Sequence, residues 1–275
     1  MTLSFASEIS PAEWVQHEIG EFGSGVRGLL PRRFDHYVRI LHPAFAEDLR
    51  QVRWAEVAEW SGREIHPTAQ FKHVSRPRPG ARLGPKPWSY EPNEGDPPQE
   101  VLSPLLQILA RHTRTPDRCW FCLWEGWGQL SEGSIATAIG LPPGSDETPE
   151  QAIERLGIWT GTAIPPDVMA LPKVELPGRS YFLLSGPLSS IVNEEMVAGS
   201  SDEGHPGVEF VSQAPSLFWP EDRGWCVASE IDFDSTYLAG SAELISEVLE
   251  EPSLETWPAK REDRVGWAAD EINAE

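Results

Sequence analysis

Apolar residues that recur every three to four positions predict five short helices. The predicted helices lie at residues 10–19, 52–60, 103–111, 148–156 and 242–250. Three of them start at a Ser-Pro or Thr-Pro step, at Ser10, Ser103 and Thr148, where a hydroxyl caps the first turn and a proline presets it. Gly62 and Pro252 mark the ends of the second and the last helix.

Short apolar runs between these helices predict strands. They lie at residues 37–41, 120–124, 181–185 and 225–233. The last run is the most regular, because its odd-numbered positions from Trp225 to Phe233 face one way and Cys226, Ala228 and the acids that follow face the other. In a half-buried antiparallel strand the carboxylates of Glu230, Asp232 and Asp234 would share the face turned to solvent.

Two segments rich in proline, glycine or acids, residues 76–98 and 193–215, are predicted to be long loops. Trp88 and Tyr90 indicate that the first is an ordered surface excursion. The pattern as a whole predicts an α+β fold with a mixed, mainly antiparallel sheet, short helices and long Pro-rich loops. We expect a single domain over residues 1–275, with two subdomains meeting near residue 115 as the alternative.

The net negative charge of the chain comes entirely from its second half. Residues 1–118 contain 15 Lys and Arg and 15 Asp and Glu, whereas residues 119–275 contain 7 and 28, and the whole chain carries a formal charge of −21. Such a surface repels nucleic acids and anionic membranes and attracts basic molecules. We therefore expect a basic protein as partner and neither nucleic acid nor membrane; acidity that serves only solubility is the alternative.

The sequence shows no feature of an exported or membrane protein. Its first residues lack the basic and apolar regions of a signal peptide, and no apolar run reaches the roughly 18 residues that span a bilayer. Three cysteines do not make a disulfide framework. These observations predict a cytoplasmic protein.

Two short motifs match known functional patterns, but the sequence around them argues against those functions. Residues 23–28 match G-x-G-x-x-G, but a predicted helix precedes them where a nucleotide-binding turn needs a strand, so we expect a flexible connection. Cys119 and Cys122 lie on a predicted strand with side chains on opposite faces, which favours core cysteines over a metal or redox pair. No cofactor is expected, and a catalytic triad from distant positions stays open.

The three carboxylates of the predicted strand 225–233 are the sharpest candidate for chemistry. Glu230, Asp232 and Asp234 would lie roughly 6.5–7 Å apart on one face, and a bent strand could bring them onto a divalent cation. The alternatives are a solvated sheet face or pairing with arginines of a neighbouring strand. A divalent-cation-dependent enzyme that uses these residues is therefore the alternative function.

Tryptophan and acidic residues also occur together in turn-rich stretches. The chain has twelve tryptophans, and the candidate binding residues are Glu125, Trp127, Trp219, Asp222, Glu230, Asp232 and Asp234. If these side chains are exposed, they would bind Lys or Arg side chains by ion pairs and cation–π contacts. If the indoles are buried, they belong to the hydrophobic core, and this is the interpretation favoured for most of them. The leading hypothesis is a non-enzymatic binding protein for a basic partner, and a third possibility is a small molecule in a Trp-lined cleft.

Three segments carry a resemblance to known proteins. Residues 53–57, residues 115–121 with Glu125-Gly126, and residues 219–237 resemble an uncharacterised actinobacterial protein family without known activity. That resemblance implies a bacterial source and no mechanism. Leu30-Pro31 followed by Phe34 and Tyr37 is similar to a pattern in immunity proteins that neutralise toxins, which implies a toxin-neutralising role.

Overall fold

The computed structural model describes residues 3–81, 83–126, 166–191 and 214–274. Eleven strands occur in these ranges: Ser4–Phe5 (β1), His36–Leu41 (β2), Ala44–Phe45 (β3), Gln51–Val52 (β4), Cys119–Trp124 (β5), Val174–Leu176 (β6), Arg179–Gly186 (β7), Leu217–Pro220 (β8), Cys226–Ala228 (β9), Ser235–Gly240 (β10) and Glu255–Ala259 (β11). The described α-helices are Glu13–Glu18 (α1), Trp54–Ser61 (α2), Phe71–Val74 (α3), Gln99–Arg111 (α4), Pro166–Met169 (α5) and Ala242–Glu250 (α6). Short 3-10 helices lie at Ser10–Ala12, Val26–Gly28, Leu188–Ile191 and Trp267–Ala269.

Nine of the described strands form one antiparallel sheet in the order β1-β7-β5-β8-β9-β10-β2-β11, with β6 added to β7. Strands β3 and β4 form a separate pair. Because β2 lies between β10 and β11, and β1 pairs with β7, strands that precede residue 115 and strands that follow it belong to the same sheet. The predicted α+β class, with a mainly antiparallel sheet and short helices, is confirmed.

Both faces of the central strands β5, β7, β8, β9 and β10 are buried, because their successive side chains enter two different cores. Helices α4 and α6 cover one face, where Phe121 and Val227 pack. Helix α1 and the segment after it cover the other, where Cys122 and Trp219 pack. A third core, with Trp54 at its centre, joins α2, α3 and the loop around residue 88 to the end of β2.

Helices α2 and α6 agree with the prediction. Helix α2 stops at Gly62, whose φ of 71° lies in the left-handed region. Its first turn receives a carboxylate from another element, because Glu255 of β11 accepts hydrogen bonds from the backbone N–H groups of Trp54 (2.7 Å) and Ala55 (2.9 Å). Helix α6 is capped by Ser241, which accepts from the N–H of Leu244.

One predicted helix start and one predicted helix cap are wrong. Helix α4 begins at Gln99, directly after Pro98, and Pro104 lies inside it. The backbone bond that this proline cannot donate is offset by the buried apolar stripe of the helix. At the other start, Ser10 opens a 3-10 turn and makes no capping bond to the backbone; its hydroxyl donates to Glu8 instead.

The predicted strand 225–233 is shorter than expected and has no solvent face. Ladder pairing ends at Ala228, and the chain turns before β10 begins at Ser235. The alternation arises because Trp225 and Val227 enter one core and Cys226 and Ala228 the other. The acidic residues 230, 232 and 234 therefore lie in a hairpin turn and not on one face of a strand.

The remaining predictions concern loops. Residues 23–28 form a closely packed turn and no flexible connection, since a Cβ on Gly28 would lie 2.5 Å from the carbonyl oxygen of Glu21. Residues 76–98 contain no helix or extended strand where the structure describes them, and Trp88 anchors them in the third core. Residues 148–156 and most of residues 193–215 lie outside the described residues.

Candidate functional site

The hairpin turn between β9 and β10 forms one wall of a cleft. Glu230 and Asp232 of this turn meet Arg179 at the start of β7. The cleft is small and open to solvent, with a cavity volume of about 20 Å³. Its apolar walls come from β6, β8, β9 and the segment that follows α1, and they consist of Ile19, Phe22, Leu29, Leu176, Leu217 and Ala228.

Arg179 binds both carboxylates. Its Nε and Nη2 donate to Oε1 of Glu230 at 3.2 and 3.0 Å, and Nη2 also donates to Oδ2 of Asp232 at 2.8 Å. The side chain of Glu230 is 6% exposed, whereas that of Asp232 is 66% exposed. One guanidinium thus holds an inner and an outer carboxylate.

Two aromatic rings fix the position of this guanidinium. Its carbon lies 5.0 Å from the ring centre of Phe22 and 5.2 Å from that of Trp124. Such contacts contribute on the order of 0.5–1 kcal/mol each when partly exposed. Together with the two ion pairs they hold Arg179 against the turn.

The interior of the cleft disfavours charge. Burial raises the pKa of the Glu230 carboxyl, and Arg179 only partly offsets this effect. Burial also raises the pKa of the Tyr181 phenol, and the neighbouring Glu230 carboxylate adds to the rise. The phenol is therefore neutral at physiological pH, and the carboxylate of Glu230 depends on cations for its stabilisation.

Ser216 contributes a buried hydroxyl to the same cleft. The residue is 3% exposed, and its Oγ has no hydrogen-bond partner within the described ranges. Its backbone is fixed, since its N–H donates to the carbonyl of Cys122 (2.9 Å) and its carbonyl accepts from Ser229 (2.8 Å). A buried polar group without a partner costs about 1–3 kcal/mol. This hydroxyl is therefore a group whose bonding a ligand could complete.

Asp234 does not join the other two carboxylates. Its Oδ1 lies 3.5 Å from Nη2 of Arg39, a buried arginine of β2. Arg39 also donates to Ser235 Oγ (3.0 Å) and to the carbonyl of Ala69 (2.6 Å). The convergence of Glu230, Asp232 and Asp234 on one cation is thus wrong for this geometry, and no group of three or more potential metal ligands exists within the described residues.

Two further acids stand beside the turn. The N–H of Gly95 donates to the carbonyl of Phe233 at 2.9 Å, and a Cβ on Gly95 would lie 2.5 Å from Cα of Ile231. Only glycine, here with φ of 69°, permits this approach. This close approach places the segment that precedes Gly95 against the turn. We call the three residues Glu91, Glu94 and Asp232 the acidic ridge.

Carboxylates oppose one another along the acidic ridge. Burial raises the pKa of Glu94, and the charges of Asp234, Asp232 and Glu91 raise it further, while Lys72 acts in the opposite direction. All three ridge residues are exposed. A cation that binds here would relieve repulsion that the folded chain maintains.

The other sequence-predicted site residues lie apart from the cleft or serve the fold. Glu125 forms an ion pair with Lys173 at 2.5 Å. Trp219 is fully buried and meets Trp14 edge-on at 5.7 Å between ring centres. Trp127 lies outside the described residues.

Asp222 organises a turn next to β5. Its carboxylate accepts from the hydroxyl of Thr113 (2.8 Å) and from the N–H of Arg114 (2.8 Å). Burial opposes ionisation of Asp222, yet these hydrogen bonds, first that from Arg114, leave its pKa lowered. The carboxylate is therefore occupied by the protein's own donors.

The sequence analysis missed Arg179, Tyr181 and Ser216. Arg179 was detectable in principle, because it is one of only 7 basic residues in the acidic half and buried carboxylates need counterions. For Ser216 and Tyr181 the sequence carries no signal, since their meeting depends on how β7, β8 and β9 are ordered in the sheet.

Comparisons with protein-family models, curated proteins and solved structures found no significant match. The two family resemblances therefore stay predictions. Among the described helices, none combines the length and the apolar character that crossing a membrane requires.

Proposed function

We propose that this chain is a non-enzymatic, cytoplasmic binding protein that receives a basic protein partner on the acidic ridge. A toxin with a basic surface is one class of partner that fits. The observation that carries the proposal is the close approach of Gly95 to Ile231, which gathers the exposed carboxylates of Glu91, Glu94 and Asp232 in one place. Complementary charge on a partner would turn the repulsion among them into attraction and would accelerate association.

Tryptophan contributes less to this surface than the sequence suggested. Nine tryptophan side chains are described, and none is exposed: five are buried and four are half-buried. Of these, Trp124 contacts Arg179, which also binds Asp232 of the ridge. The partner is therefore expected to meet carboxylates and the exposed ring of Phe22, which is 45% exposed.

The geometry favours binding over the cation-dependent enzyme. Glu230 and Asp232 bind Arg179, while Asp234 binds Arg39, so the three carboxylates belong to two separate ion-pair groups. Each group already contains a protein cation. A divalent ion would have to displace an arginine to reach them.

The test uses a fluorescein-labelled peptide of alternating lysine and glycine, with a glutamate–glycine peptide as its counterpart. Fluorescence anisotropy should show binding of the basic peptide only, and salt should weaken it. Replacement of two ridge charges, Glu94→Gln with Asp232→Asn, should weaken binding about tenfold.

The matched control removes two exposed charges elsewhere, by Glu59→Gln with Glu250→Gln, and should change the dissociation constant less than about twofold. If the two double variants bind the peptide equally well, attraction is spread over the whole acidic surface and the ridge is not the site. Absence of any binding by the unaltered protein would overturn the proposed function itself.

A further inference from the structure

We propose that the protein partner of the acidic ridge carries an acidic stretch next to its basic one, and that this acidic stretch binds the side chains of Lys72, Arg76 and Arg78. We call these three residues the basic strip. The inference rests on the proposed function, since the ridge must bind the basic stretch of the same partner. Three observations carry it: the charge of the segment around the strip, the exposure of its cations and its position beside the ridge.

The basic strip belongs to a segment without acidic residues. Residues 65–90 contain 5 Lys and Arg and no Asp or Glu, although the whole chain has 22 basic and 43 acidic residues. At that frequency a stretch of this length would hold about four acids. The segment is therefore a positively charged region of a strongly acidic protein, and it attracts negatively charged groups at short range.

The cations of the strip are available to a partner. Lys72, Arg76 and Arg78 are exposed, and none of them forms an ion pair with an acid of the described ranges. Other arginines differ in this respect, since Arg33 and Arg111 bind carboxylates of neighbouring helices. In a chain with about twice as many acids as bases, three adjacent cations without a carboxylate are a surface that only another molecule can neutralise.

The backbone of the strip is held in place while its charges stay exposed. The N–H of Arg78 donates to the carbonyl of Ser61 at the end of α2 (2.9 Å). The carbonyl of Arg76 accepts from Nε of Arg63 (2.8 Å). The proline between the two arginines of the strip restricts φ further. An ordered backbone lowers the entropy that a partner must remove on binding.

The strip begins beside the acidic ridge. Arg39 joins the segment before α3 to the hairpin turn, because it donates to the carbonyl of Ala69 (2.6 Å) and lies 3.5 Å from Asp234. Lys72 follows within α3, and its charge acts on the carboxyl of Glu94 in the ridge. From Lys72 the strip continues to the end of α2. The surface is therefore acidic at one end and basic at the other.

This arrangement favours a protein over a nucleic acid as the molecule on the strip. A nucleic acid carries phosphates along its whole length, and the ridge repels those that lie next to the strip. A second copy of this chain is disfavoured as well, because its formal charge of −21 repels the first copy. A protein surface can instead place a few carboxylates beside a few cations, which matches both ends of this surface.

The first experiment compares fluorescein-labelled peptides on the full chain by fluorescence anisotropy. Each peptide has two blocks of four dipeptide repeats, joined by two prolines that keep the blocks apart. The bipolar peptide combines lysine–glycine with glutamate–glycine repeats, in both block orders. The basic peptide has serine–glycine repeats in place of the acidic block, and the acidic peptide has them in place of the basic block.

We expect the better of the two bipolar peptides to bind at least about threefold more tightly than the basic peptide. The acidic peptide should not bind, because three cations do not overcome its repulsion by the whole chain. Attraction by net charge alone predicts the opposite order, since the basic peptide carries the larger positive charge. Equal or weaker binding of both bipolar peptides would therefore overturn the inference.

The second experiment locates the acidic block. Arg76→Ser with Arg78→Ser removes two charges of the strip and should abolish the preference for the bipolar peptide, whereas Arg76→Lys with Arg78→Lys should retain it. The matched control, Arg118→Ser with Lys260→Ser, removes two exposed cations elsewhere and should also retain it. Circular dichroism establishes that each variant is folded, and Lys72→Ser decides the result if the double serine variant does not fold. A preference that survives in the folded strip variants would overturn the inference.

The same measurements separate this inference from the proposed function. If the basic peptide binds at the ridge and the bipolar peptides show no advantage, the inference is wrong and the proposed function stands. If no lysine-containing peptide binds, the proposed function is wrong and the inference fails with it. A single-stranded oligonucleotide of twelve thymidines is the last probe. Binding of this oligonucleotide that the serine variants of the strip weaken would assign the strip to nucleic acid and overturn the inference.

Discussion

His66 and Asp270 form a buried hydrogen bond, with His66 Nε2 at 2.9 Å from Asp270 Oδ1. Asp270 accepts three more hydrogen bonds, from the N–H of Gln70 (3.1 Å) and from the N–H and side-chain amide of Asn273 (2.8 and 3.0 Å). The hydroxyl of Thr68 lies 3.3 Å from the other nitrogen of His66. Because every acceptor site of Asp270 faces a donor of the protein, the cluster fixes residues 270–273 to the segment before α3.

Replacement of Asp270 should therefore be severely destabilising. Asp270→Ala leaves buried donors of His66, Gln70 and Asn273 without an acceptor, and we expect the free energy of unfolding to fall by about 3 kcal/mol. Urea denaturation followed by circular dichroism measures the change. The control is Glu271→Gln, at an exposed neighbouring side chain, which should cost less than about 0.5 kcal/mol. Similar stability of the two variants would contradict a structural role for the cluster.

Local sequence patterns correctly predicted the helix features that depend on residues close together in the chain. The stripe of α6 and the glycine stop of α2 follow from residues a few positions apart, and both agree with the structure. The fold class follows from these elements. Helix α4 starts four residues before its predicted start, directly after Pro98. Burial of apolar side chains in this additional first turn outweighs the cost of Pro104 inside the helix.

The site could be predicted only in part, because its geometry depends on contacts distant in sequence. Alternation around Val227 looked like one buried and one solvated face, but a sheet covered on both sides buries both. The carboxylates of Glu230 and Asp232 were recognised, whereas their counterion Arg179 lies 51 and 53 residues away. Which arginine meets which acid is decided by strand order, and no local pattern encodes that order.

His42 should make the stability of the protein depend on pH. Its Nδ1 donates to the carbonyl of Asn93 (2.7 Å), and its Nε2 accepts from Thr236 (2.9 Å). Burial lowers the pKa of His42 from 6.5 to about 4. Above pH 6.5 the ring is neutral in both states and its contribution to stability is complete. As the pH falls towards about 4, only the unfolded chain takes up the proton, and about 3 kcal/mol is lost.

The measurement compares urea unfolding of the unaltered protein with that of His42→Gln at several pH values. The variant should be less stable at pH 7 because its amide fits the two partners poorly. It should also lose less stability than the unaltered protein between pH 6.5 and 4. His17→Gln, at an exposed histidine, should retain the original slope. Parallel curves for His42→Gln and the unaltered protein would show that His42 is not buried as a neutral ring.

Asp232 and Asp234 should differ in their effect on stability although they are two residues apart. Asp234 is largely buried beside Arg39, so Asp234→Ala leaves a buried cation without its partner and should cost about 3 kcal/mol. Asp232 is 66% exposed, and Asp232→Ala should cost less than about 1 kcal/mol. Urea denaturation of both variants at neutral pH tests this difference. Equal costs would contradict the division of the acids between Arg39 and Arg179.

Glu94→Gln should stabilise the protein while it weakens binding of a basic partner. Burial and neighbouring carboxylates raise the pKa of Glu94, which means that folding disfavours its ionised form. Above the folded pKa the charge therefore destabilises the native state, and below the unfolded value of 4.5 this penalty disappears. Because the side chain is exposed and screened by solvent, we expect a gain on the order of 0.5 kcal/mol at pH 7 and low salt.

Thermal and urea unfolding at pH 7 and pH 3 measure the gain, which should vanish at pH 3, where both side chains are neutral. Glu59→Gln removes an exposed charge from α2 and should change stability at neither pH. The same Glu94→Gln sample should bind the lysine–glycine peptide more weakly than the unaltered protein. A gain in stability together with a loss of affinity would show that the repulsion at Glu94 destabilises the fold and at the same time promotes binding. A variant that is both less stable and equally competent in binding would contradict this assignment.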